Sequence, residues 1–439
     1  MFRAMTQASV SLVNRFLPDP FLFAVILTVV VFGFGLFAGN TPIQMVQFWG
    51  EDFWNLLAFS MQMLLILVTG YTLAKTPLFS RLLQAIASTA KTPGRAIILT
   101  TVVSAAAAWL NWGFGLVIGA LLAREIAKKV DGVDYRLLIA SAYSGFIVWH
   151  GGFSGSIPLT IATDKHIVVD LIGVIPTSQT IFSPMNLFIL AALFITLPIV
   201  NRLMMPEKGK AFVFRGIQDE PVEKKEVAAA TALTPADRLE NSRLVSQIIS
   251  VMGFGFIVYY FGKNGFKLNL DIVNFVFLFC GILLHGTPRK FLDAAAEAVK
   301  GTTGIVIQFP FYAGIMGMMV SSGLAASMSQ WFVSISNATT FPLLSFWAAG
   351  LVNIFVPSGG GQWAVQAPIM MPAGAELGVD AAKTAMAIAW GDAWTNMIQP
   401  FWALPALAIA GLGARDIMGY CLIVLFVSGA VISLGFLLF

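Results

Sequence analysis

Apolar residues fall along this chain in runs of about twenty, the length at which a helix crosses a hydrocarbon layer of roughly 30 Å. Such runs occupy 20–39, 53–74, 183–203, 244–262, 269–285, 302–322 and 418–439. Two more, 138–162 and 384–411, are interrupted halfway by Gly, Pro and polar residues. A further two, 96–123 and 342–372, are long for one span and carry turn composition in the middle, at Asn111-Trp112-Gly113-Phe114-Gly115 and at Pro357-Ser358-Gly359-Gly360-Gly361-Gln362. The pattern predicts an all-α polytopic membrane protein with nine spans, two of them broken, and two re-entrant hairpins.

The charges orient it. Segments 1–18, 75–95, 124–136, 202–243, 286–300 and 412–416 hold 22 of the 26 Lys and Arg residues, and the positive-inside rule assigns them to the cytoplasm. The N-terminus is then cytoplasmic, the C-terminus lies outside, and residues 1–18 form an amphipathic segment at the inner surface. Both flanks of 96–123 are basic, so this hairpin dips in from the cytoplasm and returns.

Adding 247 carries the first half onto the second. Gly39 falls on Gly286, Gly70 on Gly317, Asn111 on Ser358, Gly113 on Gly360, Ala142 on Ala389 and Pro158 on Pro405. The charge pattern changes sides between the copies: 75–95 has four Lys or Arg, whereas its counterpart 323–341 has none. We therefore expect two inverted repeats, 1–203 and 244–439, joined by a solvated cytoplasmic linker at 204–243, with hairpin 342–372 entering from outside. Inverted repeats with discontinuous helices meeting near the midplane are the plan of many secondary carriers.

Composition agrees and narrows the classes. With 58% hydrophobic residues and 11% charged and a mean hydropathy of +0.82, lipid has to be the solvent. The net charge of +4 sits in short flanking segments rather than in one patch, which argues against nucleic acid as a partner. Cys280 and Cys421 lie inside spans without paired spacing, and no disulfide or metal site follows. The run 20–39 has signal-peptide features but no secreted domain after it, and reads as the first span.

Irregular backbone at membrane depth persists only where protein buries it or it lines a cavity. The four interruptions therefore mark one candidate site. Helix starts there present unpaired N–H groups suited to a carboxylate, and helix ends present carbonyls suited to a cation. The candidate substrate-binding residues are Asn111, Trp112, Gly113, Gly152, Ser154, Gly155, Ser156, Ser358, Gly359, Gly360, Gly361, Gln362, Thr395, Asn396 and Gln399. Trp112, Trp149, Phe153, Trp394 and Trp402 are candidate walls for an acyl chain. Asp392 and His150 are the ionisable residues at depth, and an intramembrane carboxylate, costing about 2.5–3.5 kcal/mol to insert, is a functional candidate by default. Asp392 is assigned to ion coupling with His150 as its partner.

The strings Leu110-Asn111-Trp112-Gly113-Phe114-Gly115, Trp149-His150-Gly151-Gly152-Phe153-Ser154-Gly155-Ser156-Ile157-Pro158, Val356-Pro357-Ser358-Gly359-Gly360-Gly361-Gln362-Trp363 and Trp390-Gly391-Asp392 make the whole chain resemble the short-chain fatty acid transporter family, the bacterial acetoacetate and butyrate permeases of the ion transporter superfamily. The resemblance implies an elevator-type carrier of the bacterial inner membrane, usually a homodimer, with a scaffold and a mobile part holding both hairpins. It implies import of small monocarboxylates by symport with H⁺ or Na⁺ and no other cofactor. Dicarboxylate relatives carry a Ser-Asn-Thr signature at each tip. Here only Asn111 and Ser358 keep a polar tip side chain, which fits one carboxylate better than two and places a possible Na⁺ near these residues.

Two alternatives remain at this level. A dicarboxylate or other organic-anion carrier has the same architecture, but the spans offer no Lys or Arg as a second carboxylate clamp. An intramembrane serine protease would use Gly152-Phe153-Ser154-Gly155 with His285 from another span. It leaves the second half unexplained, and the chain is read as a carrier rather than an enzyme.

Overall fold

The computed structural model describes residues 20–207, 209–214, 234–354, 356–398 and 402–439. The described residues are helical throughout, in the order α1 (Pro20–Phe37), α2 (Pro42–Asp52), α3 (Leu57–Ala74), α4 (Pro77–Thr89), α5 (Pro93–Leu110), α6 (Trp112–Ala127), α7 (Tyr135–Ser144), a 3₁₀ segment (Gly145–Gly151), α8 (Ser156–Ile161), α9 (Val169–Ile172), α10 (Pro184–Leu203), α11 (Pro235–Glu240) and α12 (Arg243–Asn264). There follow α13 (Leu270–His285), α14 (Pro288–Val299), α15 (Thr303–Ser321), α16 (Leu324–Ile335), α17 (Phe341–Asn353), α18 (Gly359–Glu376), α19 (Ala381–Thr395), α20 (Ala403–Ala410) and α21 (Ala414–Leu438).

Six of these, α3, α5, α10, α12, α15 and α21, are long and apolar enough to cross a membrane, and three shorter apolar helices lie at Ala24–Phe37, Leu270–His285 and Phe341–Asn353. Of the seven continuous spans expected, five are α3, α10, α12, α15 and α21, while 20–39 and 269–285 hold shorter apolar helices. The expected spans 138–162 and 384–411 are each split into short helices, while α5, expected as one arm of a hairpin, reaches full spanning length by itself.

Segments expected as loops at 40–52, 75–95, 286–300 and 323–341 contain the helices α2, α4, α14 and α16. Three of the four, α2, α4 and α14, follow a Thr-Pro dipeptide, Thr41-Pro42, Thr76-Pro77 and Thr287-Pro288. Pro pre-sets the first helical φ without losing a needed N–H, and at α2 and α14, though not at α4, the Thr hydroxyl accepts a free N–H of the first turn. Thr41 does this in a reciprocal capping box with Gln44. Thr-Pro and Ser-Pro also open α5, α10 and α11.

The helices α1, α2, α3 and α13 to α16 pack on one another and against the set α5 to α8, α10 and α17 to α21, with α3 on α6 and both α15 and α16 on α18 at the boundary. The helix α12 is the most outlying, since Val251, Met252, Val258 and Tyr259 are exposed along it, as expected of a lipid-facing surface. The linker also differs from expectation at its start. Asp134 accepts from the N–H groups of Leu137 and Phe212, and Arg136 covers the Phe212 ring at 4.0 Å, so 209–214 is docked on the first half. The amphipathic segment 1–18 and linker residues 215–233 lie outside the described residues.

Candidate functional site

Asn111 ends α5 and starts α6 in extended backbone conformation, φ −155° and ψ 127°. Its side-chain oxygen accepts the Phe114 N–H at 2.9 Å, while its amide donates to Ile66 O at 3.4 Å. The neighbouring Trp112 N–H donates to Ser154 Oγ at 2.9 Å, which ties this tip to the first broken helix. Gly70 and Gly113 allow α3 this close, because a side chain at Gly70 would collide with Asn111 and one at Gly113 with the Leu67 backbone. Small residues are used in this way wherever membrane helices approach at backbone distance.

At the second tip Ser358 caps α18 by accepting the Gly361 N–H at 3.4 Å. The three glycines that follow seat against aromatic rings: Gly359 at His150 Nε2 and Trp149, Gly360 at Phe59 and Phe309, Gly361 at Tyr312. Gln362 is a structural strut, donating to Ala349 O and Gln366 Oε1, each at 2.8 Å.

The first broken helix passes from α7 through the 3₁₀ segment into a turn at Gly152–Gly155 and then into α8. Gly152 lies on the Trp109 backbone and Gly155 on the His150 carbonyl, so both are close-packing positions. The second breaks after Thr395, and Gln399 lies outside the described residues. Thr395 Oγ1 donates to Gly350 O at 2.8 Å and accepts from Asn353 Nδ2 at 3.0 Å, which engages its hydroxyl with α17. Asn396 accepts from Trp149 Nε1 at 3.1 Å and, through its carbonyl, from the Tyr143 hydroxyl at 2.8 Å.

His150 and Asp392 are both buried, and His150 Nδ1 lies 3.1 Å from Asp392 Oδ2. The same Nδ1 is 2.7 Å from Ala389 O. A carbonyl oxygen only accepts, so Nδ1 carries a hydrogen donated to Ala389 O, with the buried Asp392 carboxylate beside it. The imidazole stacks on Trp149 with centroids 3.7 Å apart, and its Nε2 has no hydrogen-bond partner.

Between these parts lies a cavity of about 10 Å³, room for about one water. Of the sequence candidates, Trp112, Ser156, Ser358, Gly359, Trp149 and Trp402 line it, together with Met63, Phe146, Ile305 and Phe309. Asn111, Gly113 and Ser154 stand behind the wall. Thr395 and Asn396 hold the two breaks together, while Phe153 packs on Trp109 and Trp394 on Phe346. Two larger vestibules flank the cavity. One of 420 Å³ includes Phe59, Gln62, Asp164, Lys165 and Asp271, and Phe59 touches Phe309 of the central wall. The other, of 560 Å³, includes Leu67, Tyr71, Gly113, Glu297 and Lys300 and shares Trp402 with the cavity. Two further surface clefts, of 740 and 690 Å³, share no residue with either tip or break.

Sequence reasoning missed Asn186, which donates to Gly151 O and Ile181 O and accepts from Trp390 Nε1 at 3.0 Å. It also missed Asn353, which donates to Asp392 O at 2.8 Å. An amide inside an apolar run was the available signal, since such groups are placed where they bridge helices. The serine-hydrolase pairing is not among the contacts of the described residues: Ser154 Oγ receives the Trp112 N–H and His285 Nε2 lies on Thr72 O.

The model of the family described as short chain fatty acid transporter matches residues 1–439. A relative from Escherichia coli strain K12 is 47% identical over 97% of this chain and 97% of its own, and one from Haemophilus influenzae is 44% identical over 99% of each. Both carry the provisional name of short-chain fatty acid transporter. Among solved structures, the Alcanivorax borkumensis YdaH transporter superposes with a TM-score of 0.59 at 12% identity, covering 96% of this chain and 97% of its own. Neisseria gonorrhoeae MtrF, described with a class of antimetabolite efflux pumps, gives 0.52 at 12% identity over 98% and 97%. At that identity the likeness is one of fold.

Proposed function

Because this chain belongs to the short chain fatty acid transporter family, we propose that it is a secondary active carrier that imports small monocarboxylates such as butyrate and acetoacetate together with a cation. The observation that carries this is the cavity at the start of α18, lined by the serines Ser156 and Ser358 and by apolar Met63, Ile305 and Phe309. A helix start favours one carboxylate and the apolar wall favours a short acyl chain. Among the described residues no Lys or Arg lines the cavity, which speaks for one carboxylate against two.

Alternating access by two near-equivalent halves is supported by the element boundaries. Adding 247 to 57–74 gives 304–321, beside α15 at Thr303–Ser321, and adding it to 112–127 gives 359–374, beside α18 at Gly359–Glu376. In this reading the α5–α6 and α17–α18 hairpins re-enter the bilayer from opposite faces, and the larger vestibules are the two access paths. The central cavity is too small for any carboxylate as it stands, so the parts around it have to separate during a cycle.

The test is uptake of labelled butyrate and acetoacetate into proteoliposomes under separately imposed Na⁺ and H⁺ gradients. Protein-free vesicles correct for passive entry of the acids. Uptake above that background, driven by one gradient and lost in Asp392→Asn, supports the reading. Folded protein that moves neither compound under either gradient overturns it.

A further inference from the structure

The unpartnered Nε2 of His150 faces the second hairpin tip. A methyl built on Gly359 would lie 2.6 Å from Nε2, so the Gly359 backbone rests directly on that edge of the ring. The α18 helix that starts there is 18 residues long. Its first N–H groups have no partner within the helix, and its macrodipole adds about half a positive charge. In the neutral ring Nε2 carries a lone pair, and only on protonation does it become a second donor beside the start of α18, with an acceptor then required between them.

Since Ala389 O holds the hydrogen on Nδ1, any further proton on this imidazole goes to Nε2. From this geometry we infer that the substrate carboxylate and the coupling proton share one site: the carboxylate bridges His150 Nε2–H and the first N–H groups of α18. The inference rests on the monocarboxylate reading above and names the coupling ion and its place.

Each partner is unfavourable alone. An imidazolium at Nε2 would face the positive end of α18, and an added carboxylate would put a second anion beside Asp392, the titratable group recorded against this ring among the described residues. Trp149, Ala389 and the glycine tip bring no charge of their own. Together, proton and carboxylate leave the net charge of the site unchanged, whatever charge Asp392 carries. Trp149, stacked at 3.7 Å, adds cation–π stabilisation to the imidazolium. The closed contact between Gly359 and the ring leaves no space for two oxygens, so loading lifts the tip from His150. The step is transfer of a proton from hydronium, which becomes water and is replenished by the buffer acid, to Nε2, followed by an N–H···O bond to the carboxylate, so that proton and carboxylate cross together with no net charge.

The native protein in detergent tests this by calorimetry of butyrate binding at pH 7.5 in two buffers of different ionisation enthalpy. The expected result is uptake of about one proton per butyrate bound, without a requirement for Na⁺. In protein labelled with ¹⁵N-histidine, which has three imidazoles, butyrate is expected to convert one Nε2 from a lone-pair to a protonated signal, and His150→Gln to remove that change. Binding heat that is the same in both buffers, binding that needs Na⁺, or proton uptake with the His150 Nε2 signal unchanged would each overturn the shared site while leaving the monocarboxylate reading intact. Absence of any binding by folded protein would overturn that reading and the shared site with it.

Discussion

Trp149 and Asn396 hydrogen-bond across 3.1 Å although 247 residues separate them, the interval at which the sequence predicts the second half to follow the first. The first break thereby holds the second at the centre of the protein, and the tyrosine of the preceding helix, Tyr143, grips the Asn396 carbonyl from the same side. His150 follows Trp149 and stacks on it, so the position of the imidazole is set by this crossing.

Removing the bond is expected to loosen the site. Trp149→Phe leaves the buried Asn396 oxygen without its donor, at a cost of about 1–3 kcal/mol for an unsatisfied buried group. Thermal unfolding in detergent is expected to shift down, with butyrate uptake reduced alongside it. Unchanged unfolding and uptake would mean that the crossing does not position the breaks.

Gly359→Ala places a methyl against His150 and Trp149. The expected outcome is a protein that reaches the membrane in normal amount but takes up substrate at least ten-fold more slowly, because the tip no longer closes. Gly50→Ala is the control, since nothing lies within 4 Å of a Cβ there. Equal uptake by the two variants would rule out close approach at Gly359 as a requirement.

Asn186→Leu breaks three contacts at once, to Gly151 O, Ile181 O and Trp390 Nε1. Stranding several buried polar groups is expected to cost about 3 kcal/mol or more. The measurement is the fraction of protein recovered as a monodisperse peak after mild heating, which is expected to fall well below that of the native chain.

Glu297 on α14 meets Lys75 at 3.0 Å and the Tyr71 hydroxyl at 2.6 Å at the edge of the larger vestibule. Burial raises the Glu297 pKa, but the hydrogen bonds from Tyr71 and Lys75 outweigh it and the net direction is down. A depressed carboxylate contributes stability that is present above its unfolded pKa and lost as pH falls through the lower folded value. The contribution is small, since Glu297 is about half exposed and its pair is screened. Lowering pH from 7 to below about 4 is therefore expected to lower the unfolding temperature less in Glu297→Gln than in the native protein. Identical pH profiles would show that the cluster adds nothing to stability.

Much of the helix order was legible because lipid imposes it. Runs near 20 residues and glycine-rich interruptions placed the helix breaks at Asn111 and Ser358 and the two broken helices, since unsatisfied backbone is excluded from hydrocarbon. The connecting helices α2, α4, α14 and α16 were missed because their segments are too polar to read as spans, although the Thr-Pro dipeptides that open three of them were present in the sequence. At the site, Asp392 and His150 stood out as ionisable groups at depth, but Asn186 and Asn353 did not, because an amide carries no charge to draw notice.

The sequence by itself determined that this chain lives in lipid, where its backbone breaks, and which family it joins. These are properties of single segments, set by the cost of exposing polar backbone to hydrocarbon. Only the tertiary structure decided that Gly359 lies on His150, that Ala389 fixes the imidazole tautomer, and that Thr395 and Gln362 face neighbouring helices rather than the cavity. Those facts depend on contacts between different helices, 13 to 239 positions apart in sequence, and helical periodicity shows which residues share a face without showing what that face meets.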